Sequence, residues 1–161
     1  MVFAYADPPY IGCGKRYPEK KEVDHIKLLE RLGSDFKDGW ALSCHSPSLP
    51  YLLFQAQRLL SPVRVGAWVK PFAVFRPNVG VAYAWEPVIF FGGRKRTRQQ
   101  PTVRDWVSAN ITLKKGLVGA KPPQFCEWLL DVLNFQPGDE LVDLYPGTGA
   151  MTLAAQARQL R

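Results

Sequence analysis

The stretch Glu140–Gln159, ELVDLYPGTGAMTLAAQARQ, is the part of the sequence that decides the fold class. It predicts a short strand up to Leu144, a turn containing Pro146-Gly147-Thr148-Gly149, and a helix over about 150–159. The glycines let backbone amides approach a ligand, and the N-terminus of the helix adds partial positive charge. Such a turn can cradle a nucleotide cofactor, although an ordinary tight turn also uses glycine. It is neither the full Gly-x-Gly-x-x-Gly fingerprint nor a Walker phosphate loop.

The remainder of the chain alternates apolar strand patterns with helical ones, which predicts an α/β sheet covered by helices in three αβα layers. The predicted strands are 2–6, 40–44, 63–69 and 85–91, and the predicted helices are 23–32, 49–60 and one opened by Pro122-Pro123. The segment 92–116 is the most polar and basic, and we expect a loop excursion there. The length of 161 residues predicts a single domain over 1–161.

The net charge of +7 indicates the class of partner. A positive field attracts polyanions, so nucleic acid is the natural partner class, with simple solubility as the alternative. No apolar run approaches the roughly 20 residues of a membrane span, and the N-terminal residues lack a signal pattern. We therefore expect a cytoplasmic protein. The three cysteines and two histidines show no ligand spacing, so no metal site is predicted.

Asp7-Pro8-Pro9-Tyr10 follows the first predicted strand. Ligands of open α/β sheets bind beyond the carboxyl ends of strands, which makes this junction a candidate site. Asp7 and the Pro8 carbonyl can accept hydrogen bonds from an amino group, while Tyr10 stacks on a planar ring. The two prolines hold the carbonyls in place at low entropic cost. An ordinary proline turn with a capping acid is the alternative.

Five pieces in this order together resemble the permuted β group of amino-methyltransferases, which methylate adenine N6 or cytosine N4 in DNA. Asp7-Pro8-Pro9-Tyr10 is similar to the family's catalytic motif. The other pieces are Trp68-Val69-Lys70-Pro71, the strand beginning Trp85-Glu86-Pro87, Lys121-Pro122-Pro123 with its helix, and Pro137-Gly138-Asp139 leading into Asp143–Gly149.

The resemblance implies a Rossmann-like methyltransferase fold that binds S-adenosylmethionine and flips the target base into the pocket of Asp7, Pro8, Pro9 and Tyr10. The implied cofactor-binding residues are Lys121, Pro122, Asp143, Tyr145, Gly147, Thr148 and Gly149. Asp at the first motif position favours adenine N6 in DNA. The open alternatives are a catalytically degenerate or partner-dependent nucleic-acid-binding protein, and an RNA adenine or DNA cytosine-N4 methyltransferase.

The sequence departs from the family's pattern after Gly149. Relatives continue into a strand whose end carries an acid for the cofactor ribose, whereas residues 150–161 contain no carboxylate. We therefore expect a sheet shortened on the cofactor side, with an exposed edge that favours a homodimer or a partner chain.

The basic segment predicts a contact with nucleic acid. Its residues Arg94, Lys95, Arg96 and Arg98 are candidates for phosphate contacts, because arginine pairs bidentately with phosphate. A merely solvated loop is the alternative.

Overall fold

A six-stranded mixed sheet forms the centre of the computed structural model, which describes residues 1–16, 21–60, 62–72, 78–112 and 120–160. The strands are β1 Val2–Ala6, β2 Gly39–Ser43, β3 Arg64–Val69, β4 Trp85–Gly92, β5 Trp106–Ser108 and β6 Glu140–Asp143. Their order across the sheet is β5-β3-β4-β2-β1-β6. Strands β1, β2 and β6 run parallel, β4 is antiparallel to β2 and β3, and β5 is parallel to β3.

Four helices cover the sheet: α1 His25–Asp35, α2 Leu49–Leu60, α3 Pro123–Val132 and α4 Ala150–Gln159. Side chains alternate between the two faces of a strand. In β1, Phe3 and Tyr5 therefore pack under α3 and α4, while Ala4 and Ala6 pack under α1 and α2. This arrangement gives the predicted three αβα layers.

Strand β1 lies between two strands from distant parts of the chain. Ala4 pairs with Trp40 of β2 on one side, and Tyr5 pairs with Asp143 of β6 on the other. Because all three strands run parallel, the loops that follow them emerge at one end of the sheet, here called the carboxyl end. The amino end of the antiparallel strand β4 lies at this end too, since Ser43 pairs with Val88.

Strand β5 differs from the sequence prediction, which treated the whole of 92–116 as a loop. Val107 pairs with Trp68 of β3, and the Ala109 carbonyl accepts a hydrogen bond from the Trp68 indole. Three residues are too short for strand periodicity to show in the sequence, and the strand exists because β3 offers an open edge. Lys114 and Lys115 of the predicted basic loop lie outside the described residues.

Strand β6 ends the sheet within the described residues, as the predicted short sheet requires. A homodimer or partner chain at this edge stays a prediction. Among the same residues, no helix combines the length and apolar character needed to cross a membrane.

Arg94 stabilises the opposite end of the sheet. Its Nη2 lies 2.5 Å from Oδ1 of Asp139, a residue only 5% exposed just before β6. Oδ2 of Asp139 accepts a hydrogen bond from the Gln136 amide at 2.9 Å. Burial alone would raise the pKa of Asp139, but the hydrogen bonds from Arg94 and the N-terminal ammonium lower it below its usual value.

We expect Arg94→Ala to lower the free energy of unfolding by about 2 kcal/mol, because hydrogen bonds to charged groups contribute that much. Urea unfolding at pH 7 measures the loss, and exposed Arg98→Ala is the matched control. Because the pKa of Asp139 is lowered in the folded protein, the stabilisation from its pairing with Arg94 is complete above pH about 4. This stabilisation disappears as the pH falls through the pKa of Asp139 in the folded protein. An equal loss in both variants would contradict the assignment.

Candidate active site

The loop after β1 begins the site. Two successive prolines prevent β1 from continuing past Ala6, because each removes a backbone donor and fixes φ. A turn closed by the Cys13 amide on the Tyr10 carbonyl, at 2.7 Å, returns the chain towards the sheet. Asp7 is thereby held at the carboxyl end of β1, with a side chain 20% exposed.

Lys121 forms an ion pair with Asp7. Its Nζ is 2.9 Å from both carboxylate oxygens of Asp7 and 3.3 Å from Oε2 of Glu86. The Lys121 side chain is only 6% exposed. Pro122 in an extended conformation caps α3, which places the preceding lysine over the end of the sheet. The resemblance implies that Lys121 borders the cofactor, which stays a prediction, and in the structure the Lys121 ammonium contacts Asp7.

Glu86 is a site residue that the sequence reasoning missed. It is the second residue of β4, and its carboxylate accepts hydrogen bonds from Lys70 Nζ at 2.9 Å and the Tyr10 hydroxyl at 2.9 Å. The available signal was a single charge within the otherwise apolar strand Trp85–Gly92. Lys70 follows β3, so the antiparallel pairing of β3 and β4 brings it beside Glu86.

Asp7, Glu86, Lys70 and Lys121 form what we call the charge quartet, two carboxylates and two ammonium groups with little exposure. Burial raises the pKa of Asp7; Lys121 opposes this shift, and Glu86 adds to it. Burial also acts to raise the pKa of Glu86, but Lys121 and Lys70 overcome it and bring that pKa to about 2. The pKa of Lys121 is raised despite its burial, because Asp7, Tyr5 and Glu86 surround it. The two carboxylates of the quartet therefore differ, and Asp7 is the more easily protonated of the two.

Aromatic rings enclose the quartet. Lys121 Nζ lies 5.5 Å from the centroid of Trp68, 5.8 Å from Phe125 and 6.0 Å from Tyr10. Cations are attracted to ring faces, so this enclosure compensates part of the lost hydration of the ammonium. The Tyr10 ring also stacks on His45, with centroids 5.7 Å apart and planes 4° apart.

The glycine-rich turn lies beside the Asp7 loop. The Leu144 amide donates to the Tyr5 carbonyl at 2.9 Å, which joins the starts of the two loops. Gly147 and Gly149 adopt φ of +50° and +73°, and a Cβ on Gly149 would meet no atom of the described residues within 4 Å. Gly149 precedes α4, whose N-terminus receives no side-chain cap from the part of the chain that the structure describes. The turn thus presents the first amides of a helix beside open space, which is a favourable place for an anionic group.

The Asp143 side chain stabilises the glycine-rich turn by hydrogen bonds. Its carboxylate accepts hydrogen bonds from the Tyr145 amide and the Thr152 hydroxyl, both at 3.3 Å. Tyr145 is half-buried and Thr148 is exposed. Burial raises the pKa of Asp143, and the negative charge of Asp7 adds to the shift. The two predicted junctions are therefore close enough to interact electrostatically.

The structure does not bring the basic segment to this site. Since β4 runs antiparallel to β2, the residues that follow Gly92 emerge at the opposite end of the sheet. Arg94 pairs with Asp139 there, and Arg96 donates hydrogen bonds to the carbonyls of Asp131 and Pro101. Lys95 and Arg98 are exposed. A contact of these four residues with nucleic acid stays a prediction.

We expect Glu86→Gln to lower the pKa of Asp7, because the variant removes a neighbouring negative charge. Asp7 is then the one carboxylate of the quartet that pairs with Lys121. Titration of the Asp7 carboxyl carbon by NMR measures the shift, with exposed Glu30→Gln as the control. An unchanged or higher pKa of Asp7 would show that the charge quartet is not coupled as the distances indicate.

Comparison with solved structures identifies the fold. M1.HpyAVI, solved in complex with SAM, superposes with a TM-score of 0.68 at 13% identity, over 99% of this chain and 78% of that one. TTHA0409 from Thermus thermophilus, provisionally assigned as a DNA modification methylase, gives a TM-score of 0.57 at 14% identity, over 99% of this chain and 77% of that one. No protein-family model and no curated protein matches the sequence. The chain therefore has the α/β fold of these proteins, and the predicted methyltransferase-type fold is confirmed.

Proposed function

We propose that this chain is an S-adenosylmethionine-dependent DNA methyltransferase that modifies the N6 amino group of adenine. The observation that carries the proposal is the pairing of β1 with β6, which brings the Asp7–Tyr10 loop beside the uncapped glycine-rich turn. A methyl donor and an amino acceptor must meet in line at one point, and two adjacent loops at the carboxyl end of a sheet provide it. The fold neighbours, one in complex with SAM, are consistent with this assignment.

The residues around the glycine-rich turn fit such a cofactor. The open space beside Gly149 admits a ligand close to the backbone, and the first amides of α4 can bind the carboxylate of its methionine part. Gly147, Thr148 and Tyr145 line the same turn, with Asp143 holding its shape through Thr152. When bound, the cofactor supplies an electrophilic methyl group on a sulfonium sulfur.

Asp7 and the Pro8 carbonyl would orient the acceptor. An aromatic amine is a weak nucleophile, because its lone pair is shared with the ring. Hydrogen bonds from its two N–H groups to Asp7 and the Pro8 carbonyl favour a pyramidal nitrogen whose lone pair faces the methyl group. With the cofactor bound, transfer of its methyl group to this nitrogen would leave the sulfur neutral and the nitrogen cationic, so the nitrogen would then lose one proton. Asp7 is the carboxylate in this arrangement best placed to receive that proton.

Lys121 and Glu86 would keep these groups ready for the reaction. Lys121 favours the charged form of Asp7 against the effect of burial. Each carboxylate oxygen of Asp7 that accepts a hydrogen bond from Lys121 still has a lone pair that can accept one from an amine. Glu86 fixes the Tyr10 hydroxyl at 2.9 Å and thereby the plane of the ring on which a base stacks. Pro9 restricts the loop between them. Adenine is preferred over cytosine because Asp, rather than Ser, occupies the first position of the motif, as the sequence resemblance implies.

We expect Asp7→Asn to reduce methyl transfer to DNA by about 100-fold or more, the usual loss for one precisely placed polar group in an active site. Transfer of labelled methyl from S-adenosylmethionine is the measurement, and digestion of the product distinguishes N6-methyladenine from N4-methylcytosine. The matched control is Asp35→Asn, whose side chain is 53% exposed on α1. Transfer to RNA instead of DNA would move the assignment to an RNA methyltransferase. DNA binding without cofactor binding would indicate a non-catalytic module.

Lys121→Met is expected to shift the acid limb of the pH–rate profile to higher pH by about 1 unit or more, because an opposite charge at this distance lowers a carboxyl pKa by that amount. Asp7 must be ionised to accept the amine, and its pKa is already raised by burial. The rate deficit of the variant should therefore shrink as pH rises. Lys27→Met, at a side chain 81% exposed, is the control. A deficit that is the same at every pH would assign Lys121 some other role.

A further inference from the structure

Three rings lead from the proposed active site to the surface. Tyr10 stacks on His45 with planes 4° apart, and the His45 ring lies 4.8 Å from the ring of Tyr83 at an angle of 45°. We call Tyr10, His45 and Tyr83 the aromatic column. Its members come from three loops at the carboxyl end of the sheet, the ones after β1, after β2 and before β4. The column connects the catalytic loop with solvent.

The outer end of the column is open. Tyr83 is 46% exposed, and two more rings at the same end of the sheet, Phe72 and Trp85, are 58% and 39% exposed. His45 also lines a surface cleft of about 850 Å³, together with Ile11 and Tyr51. Large exposed rings clustered at one end of the sheet indicate a binding surface rather than a core.

The chemistry of this surface fits an unpaired nucleobase. Every base has a flat π-face that stacks on an aromatic ring, and such stacking requires no particular base sequence. A net charge of +7 favours a strand of phosphates over a basic or neutral partner near the molecule. Because the column begins at the ring expected to hold the target base, a neighbouring base on the same strand is the one that its outer ring would meet.

We propose that the aromatic column binds a base adjacent to the target adenine, stacked on Tyr83, so that the preferred substrate is DNA in which the target and one neighbour are both unpaired. This inference rests on the proposed function, since it needs a target base at Tyr10. Glu86 contributes indirectly, because its hydrogen bond to the Tyr10 hydroxyl fixes the inner end of the column.

The test combines a protein variant with a modified strand. Binding of fluorescently labelled single-stranded 12-mers with one adenine is measured by anisotropy, with S-adenosylhomocysteine present. Three strands are compared: intact, abasic on the 5′ side of the adenine, and abasic on the 3′ side. The proteins are the unmodified chain, Tyr83→Ala, Tyr83→Phe, and the control Phe54→Ala, at a ring 62% exposed on α2.

We expect Tyr83→Ala to weaken binding of the intact strand by about 5- to 100-fold, the range for the loss of one stacked base. Tyr83→Phe and Phe54→Ala should retain the affinity of the unmodified chain. One of the two abasic strands should bind more weakly to the unmodified chain, and this penalty should vanish in Tyr83→Ala. An abasic penalty that is equal in both proteins, or absent at both positions, would overturn the proposal.

A separate readout distinguishes failure of this inference from failure of the proposed function. Methyl transfer by the unmodified chain, combined with a Tyr83→Ala variant that behaves like Phe54→Ala, would overturn the column alone. Absence of both strand binding and methyl transfer in the unmodified chain would overturn the proposed function and the column together. A double-stranded 12-mer bound and methylated as well as the single strand would contradict the proposed substrate preference.

Discussion

The Lys121 ammonium is a cation enclosed by protein, and its burial requires two carboxylates from distant parts of the chain. Asp7 comes from the end of β1 and Glu86 from the start of β4, while Lys121 itself precedes α3. Removing one member of a buried ion pair is costly, because the remaining charge has neither water nor a partner. The loop after β1, the first residues of β4 and the entry to α3 must therefore be in place together. This requirement holds the candidate site in one geometry.

The charge quartet also separates the properties of its two carboxylates. Glu86 receives two ammonium groups and a phenol, so its pKa falls to about 2 and it remains an acceptor at any ordinary pH. Burial raises the pKa of Asp7, the ammonium group of Lys121 opposes that rise without cancelling it, and the negative charge of Glu86 adds to it. Neighbouring carboxylates with pKa values displaced in opposite directions are typical of sites where one group is structural and the other reacts. That asymmetry is consistent with Asp7 as the reacting group and Glu86 as its support.

The two ends of the sheet have different roles. At the carboxyl end, the loops and the first residues of β4 carry the charge quartet, the glycine-rich turn and the aromatic column. At the opposite end, Arg94 and Asp139 fasten the start of β6 to the segment after β4. Arg94 and Arg96 are thus largely occupied by contacts within the chain, although the sequence shows them only as part of a basic run. The net charge of a sequence predicts the electrostatic field around the molecule. Which group each charged side chain contacts depends on the fold.

The sequence by itself determined the elements other than β5, and the two candidate junctions. The helices 49–60 and 150–159 and the strand 2–6 were predicted with the bounds that the structure shows, because apolar periodicity, proline and glycine act over a few residues. The order of the motifs, which resembles that of a known family, predicted the fold class more specifically than any single motif did. Only the tertiary structure decided that Lys121 lies on Asp7, that Glu86 belongs to the site, that Trp106–Ser108 is a strand and that His45 stacks on Tyr10. Each of these is a contact between residues far apart in the chain, and the register of strand pairing, which places such residues together, is set by packing across the whole sheet.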